Sequence, residues 1–293
     1  MKKNKDIISN YLGFLFLIVG CLIFSYPAIS NFIAKKNQAE IIENYEENIK
    51  NYDEKTLEEE LEKAKIYNNN LAGTPVKDPF VNGSGYALPS NYLDVLNLNS
   101  NGIMAYIEIP KINVKLPIYH GTDESVMQKG VGHIEYTSLP IGGNSTHSIL
   151  TGHRGLPRAE LFTRLDELNI GDKFYIHILN KILAYKVYDV KTVLPDDLSE
   201  LNILKDKDII TLVTCTPYGV NTHRLLVQGE RTEYINQKEE NKGIQQKNIR
   251  YSITYYIIPI ISGIIISFTI IGLYSKVKER YSCLLYTSPS PRD

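Results

Sequence analysis

The chain has 293 residues, 32 Lys plus Arg against 33 Asp plus Glu, and a formal net charge of −1. That balance excludes nucleic acid as an expected partner, because phosphate binding wants a clear basic surplus. Cysteines number three, Cys21, Cys215 and Cys283, so the lone Cys215 in the central part cannot form an intramolecular disulfide there.

Residues 1–10 carry Lys2, Lys3 and Lys5 and form a cytoplasmic N-terminus; residues 11–33 are an uncharged apolar run of membrane-spanning length. A cleaved signal peptide is the competing reading, but the apolar stretch continues past Pro27 without a clear small-x-small cleavage site. Residues 34–101 begin with Ile41, Ile42, Tyr45, Ile49, Tyr52, Leu57 and Leu61 at helical spacing, an amphipathic helix or helix pair. From Asn68 to Asn101, Asn, Gly, Pro and Ser predict a loop.

Residues 102–234 change character, with short apolar runs between turn signals, such as 104–109, 114–119, 148–150, 173–178, 183–190, 209–213 and 225–227. Many short strands predict a mostly β domain, an antiparallel barrel or a sandwich, with one short helix near Ala159 to Leu165. Residues 235–252 are a juxtamembrane linker, and 253–274 form a second apolar span followed by Lys276, Lys278 and Arg280. Positive charge on both outer flanks predicts two transmembrane helices in the cell membrane, both termini cytoplasmic and the central domain outside. Residues 275–293 are a cytoplasmic tail. Its last eleven, 283–293, read as translated sequencing-adaptor sequence and are set aside from fold reasoning.

The chemistry concentrates where Thr211-Leu212-Val213-Thr214-Cys215 is followed, nine residues after the cysteine, by Arg224 and a second apolar run. If the two runs pair as neighbouring strands, the thiol and guanidinium sit side by side. A buried cysteine is often a small core hydrophobe. Beside fixed positive charge it is a candidate nucleophile, since the thiolate is favoured. Ser148-Ile149-Leu150-Thr151-Gly152-His153-Arg154-Gly155 is a strand entering a glycine-flanked turn, which leaves His153 at a strand end as a proton-transfer group. Cys215, His153 and Arg224 together would supply nucleophile, acid/base and oxyanion stabiliser.

Other residues read as structural. His120, His133, His147, His177 and His223 lack metal-ligand spacing, and Asp123, Glu124, Asp166, Glu167 and Asp172 read as loop charges rather than a calcium site. Thr214 is either a donor near the site or a plain β-former. Gly142-Gly143 lack a phosphate-loop context. No cofactor and no metal are expected.

TLVTC followed by TPYGVNTHR, with LTGHRG upstream, resembles the signature of the sortases. The longer stretches GHIEYTSLPIGGNSTHSILTGHRGLPRAELFTRLDELNIGDKF and TLVTCTPYGVNTHRLLVQGER resemble class C, the pilus-assembling sortases. The likeness covers roughly residues 102–231. It implies a closed eight-stranded β-barrel and a membrane-anchored cysteine transpeptidase of a Gram-positive bacterium. Such an enzyme cleaves an LPxTG-like sorting signal on a pilin or surface protein through a thioester and passes it to an acceptor amine, a pilin lysine or a cell-wall precursor. By this resemblance Cys215 is nucleophile, His153 general acid/base and Arg224 the substrate-positioning, oxyanion-stabilising group. It also makes Asp78-Pro79-Phe80 a lid over the site, where the plain reading is a turn around Pro79. The rivals are a housekeeping-type sortase anchoring proteins to peptidoglycan, a cysteine peptidase in which water resolves the thioester, and a non-catalytic membrane scaffold for pilins.

Overall fold

The computed structural model describes residues 2–71, 91–235 and Gly272. Asp78-Pro79-Phe80 and, apart from Gly272, the second apolar span lie outside the described residues. Two compact units divide the chain, and the fold below belongs to the second, Ile29–Gln245.

The N-terminal third is helical. Helix α1 spans Lys2–Asn51 and α2 spans Glu54–Asn70. In the first unit, side chains of α1 such as Phe16, Leu22, Ile23 and Phe24 are exposed. Among the described residues this is the one helix long and apolar enough to cross a membrane. The break before α2 is chemical: the Asp53 carboxylate accepts from Thr56 N at 2.7 Å, an N-cap worth about 1 kcal/mol. Ile42, Tyr45 and Ile49 of α1 and Leu57, Ala64 and Tyr67 of α2 are buried with the barrel core, as the helical spacing required. Tyr45 welds helix to barrel, its hydroxyl donating to Met104 O and accepting from Leu179 N at 2.9 Å. The end of α2 is clamped because Asn68 pairs its amide with both backbone groups of Leu139.

The β domain is a closed barrel of eight strands: β1 (Ile103–Ile109), β2 (Val114–His120), β3 (Val131–His133), β4 (Thr146–Thr151), β5 (Lys173–Ile178), β6 (Lys181–Val193), β7 (Asp208–Thr216) and β8 (His223–Thr232). Its order is β1-β2-β3-β4-β7-β8-β6-β5. The β2/β3 and β4/β7 pairs are parallel, which corrects the expectation of a purely antiparallel barrel. Parallel neighbours need a crossover connection. Between β2 and β3 the turn Gly121–Gly130 with helix α3 (Glu124–Met127) supplies one, and the excursion through β5 and β6 supplies the other.

Strand alternation sorts side chains into two clusters. Ile107, Phe174, Ile176, Tyr185, Ile210, Leu212, Leu225 and Val227 fill the main core. Val213 and Leu226, from the same strands' other face, join Ile149, Ile134 and Leu201 in a smaller one. Full burial of each such side chain contributes about 1.5–3 kcal/mol. Phe174 stacks on Tyr185 at 5.5 Å, directly over Gly229, where an added Cβ would lie 2.5 Å from the Phe174 ring.

The helix expected near Ala159 to Leu165 is a chain of turns closed by a 3-10 turn, Leu165–Glu167. Tertiary bonds override helix formation there. Glu160 N donates to Asn31 Oδ1, Phe162 N donates to His153 O, and Leu161 takes φ 38°.

Candidate active site

Strands β7 and β8 are antiparallel neighbours with Cys215 directly opposite Arg224. Register partners project from the same side of a sheet. Here that side is the one carrying Val213 and Leu226, away from the main core. Strand β4 runs parallel to β7 with Thr151 opposite Val213, and Gly152 N continues the ladder by donating to Val213 O at 3.1 Å. Two residues past Thr151, His153 therefore comes to the level of Cys215. Three stretches distant in sequence, those carrying Cys215, His153 and Arg224, thus meet at one end of the sheet.

Packing holds the His153 segment from several directions. Thr214 Oγ1, buried, donates to Gly152 O at 2.7 Å. Phe162 lies against Gly152, whose missing side chain makes room; an added Cβ would sit 2.8 Å from the ring. Arg154 reaches across, Nη1 donating to Thr216 Oγ1 at 3.1 Å and Nη2 pairing with Asp166 at 2.5 Å. Asn31 and Lys35 of α1 bind Glu160 in the adjoining loop, and Ser30 binds Arg158 O.

Cys215 and Arg224 are each 9 % exposed. Arg224 Nη1 donates to Asn221 O and His223 O, both at 3.3 Å, which fixes the guanidinium plane at the base of the β7–β8 loop. Such a fixed charge opposite a thiol favours the thiolate. Burial pulls the His153 pKa below its ordinary value, and the Glu124 carboxylate, 3.9 Å from Nε2, works against that. Tyr218 and Val220 of the same loop are exposed.

The remaining histidines are built into the scaffold. His133 is fully buried; Tyr92 OH meets Nδ1 and Ser138 O meets Nε2, and burial pushes its pKa down to about 3. His147 bridges Asn202 O and Thr211 Oγ1, and burial lowers its pKa as well. His120 bridges Gly102 O and Val95 O. His177 stacks on Tyr106 and pairs with Glu108. His223 lies opposite Thr216, one step from Arg224 along β8. The loop charges are not merely solvated: Asp166 pairs with Arg154, Glu167 with Arg164 and Asp172 with Lys111. Among the described residues no cluster of three His, Cys, Asp or Glu side chains gathers as a metal site.

Sequence reasoning missed Arg154, Glu124 and Asn31. Arg154 carries a weak signal, its place beside His153. The other two have none, because only the fold brings them near.

Comparison with known proteins accords with this geometry. A model of the sortase domain matches residues 107–232. Sortase D of Bacillus subtilis is 34% identical over 128 residues, 43% of this chain. The match spans 62% of that relative, under two thirds of its length. The crystal structure of Streptococcus pneumoniae sortase C is 42% identical, with a TM-score of 0.62, over 67% of this chain and 97% of that one. Sortase C1 of Streptococcus agalactiae is 47% identical, also with a TM-score of 0.62, over 67% and 100% of the two chains.

Proposed function

We propose that this chain, which belongs to the sortase family of cysteine transpeptidases and to its class C branch, joins pilin subunits through a thioester on Cys215. The observation that carries this reading is the register of Cys215 against Arg224, with the His153 segment hydrogen-bonded alongside. The Cys215 thiolate attacks the carbonyl carbon of an LPxTG-like sorting signal at the Thr–Gly bond. Arg224 donates to the oxyanion. His153 gives its proton to the departing glycyl amine, and a thioester remains. The acceptor lysine amine then attacks that carbonyl, passes a proton to His153 and releases the thiolate. Support for a pilin substrate comes from the likeness to the Streptococcus pneumoniae enzyme, which is described by its pilin substrate specificity.

Sequence likeness alone supports the lid. Asp78 would pair with Arg224 and Phe80 would cover the thiol. Asp78→Ala should speed labelling of Cys215 by a thiol reagent, and unchanged labelling would count against closure. The charge pattern of the flanks supports two membrane spans with the barrel outside the cell.

The deciding experiment incubates the full chain in detergent with an LPxTG-type peptide. An acyl adduct on Cys215, resolved by a purified pilin and absent in Cys215→Ala, supports the proposal. Resolution by a peptidoglycan-type amine alone would move the reading to cell-wall anchoring, and by water alone to a peptidase. Pilin assembly that survives Cys215→Ala would mean a scaffold.

A further inference from the structure

We propose that Glu124, braced by Gln128, is a positioning residue for the reaction: it holds a carboxylate facing the His153 ring and so stabilises its protonated form. This rests on the proposed role of His153 as proton donor and concerns how that role is maintained.

The support is geometric. Glu124 opens α3, the short helix in the β2–β3 crossover. Met127 anchors this helix; it is 3 % exposed and seated over Gly132 of β3, where an added Cβ would lie 3.2 Å from its sulfur. From the other side, Gln38 of α1 donates to Lys129 O at 3.1 Å. The backbone beneath Glu124 is thus fixed on two faces. One carboxylate oxygen accepts from the Gln128 side-chain amide, and the other lies 3.9 Å from His153 Nε2.

Four charged or ionisable groups stand on the elements around the His153 segment. Arg224 stands on β8 and the Cys215 thiol on β7. Arg154 is the next residue along and is paired with Asp166. Glu124 reaches in from α3. Burial disfavours an imidazolium, and the neighbouring Arg154 is paired with Asp166. Glu124 supplies the opposing carboxylate. Its side chain is 73% exposed, so solvent screens the pair and the effect is modest.

The test separates this role from the transpeptidase reading itself. In full-length Cys215→Ala protein, which turns over no peptide, the His153 ring carbon is followed by NMR through a pH titration and assigned against His153→Gln. Glu124→Gln should lower the midpoint by about half a unit to one unit, and Gln128→Ala by less in the same direction. In the chain with Cys215 intact, Glu124→Gln should cut peptide turnover roughly 3- to 10-fold above that midpoint and leave KM unchanged. Glu124→Asp should recover part of the loss. An unmoved His153 midpoint overturns the inference, and so does a raised KM with an unshifted pH profile.

Discussion

Thr214 Oγ1 donates to the carbonyl of Gly152 at 2.7 Å, a buried bond between the strand ending in Cys215 and the segment carrying His153. Because Thr214 points to the side opposite Cys215, this bond sets the spacing of the two stretches without entering the reaction space. Thr214→Val keeps the β-branched shape and leaves the Gly152 carbonyl without that donor. Stability should fall by about 1–2 kcal/mol. Turnover should fall further than the lost fraction of folded protein explains. Urea unfolding and peptide turnover on the same preparation check both.

Arg224→Lys should keep the charge and lose activity by on the order of 10², a loss typical of removing one oxyanion donor. A lysine cannot hold the two carbonyls at 3.3 Å and still present a planar fork to substrate. The measurement is kcat with an LPxTG-type peptide, alongside the thiol-labelling rate of Cys215. Near-normal kcat would mean that charge alone suffices.

Gly152→Ala places a methyl group 2.8 Å from the Phe162 ring. Overpacking of this kind costs about 1–3 kcal/mol. The ring and the His153 segment must separate, so catalysis should drop more than the melting temperature suggests. Phe162→Leu in the Gly152→Ala background should restore part of the activity by making room.

The buried histidines predict acid lability. His133 has its pKa pushed from 6.5 down to about 3, and that of His147 is also lowered. The unfolded chain takes up these protons first, near pH 6.5, so the stabilisation is present above that pH and is lost as pH falls toward 3. Each such proton steepens the loss by up to about 1.4 kcal/mol per pH unit. Urea midpoints between pH 7 and pH 4 should fall accordingly, and His133→Gln should flatten the slope even though it lowers stability throughout.

The pairing of Cys215 with Arg224 was legible because it is local. Two apolar runs joined by a short loop with Pro217 and Gly219 leave few registers open. The place of His153 just past the end of β4 was legible from its glycine flanks. The parallel β2/β3 and β4/β7 pairs were not, since hydrophobic period reports a strand but not its neighbour's direction. The stretch near Ala159 to Leu165 misled because its helical propensity is overridden by bonds from Asn31 and His153, one of them 129 residues away in sequence. Glu124 carries no sequence signal at all; its relevance arises only when the β2–β3 crossover folds back beside the end of β4.

The grip of Ser30, Asn31 and Lys35 on Arg158 and Glu160 gives α1 a second duty. The end of the apolar stretch and the residues just past it wall in the loop whose Phe162 amide holds His153. A truncated protein that starts beyond Lys35 would keep all eight strands and lose one support of its imidazole. Kinetic constants measured on such a fragment would understate the intact enzyme, and the shortfall would be a matter of geometry, not of missing chemistry.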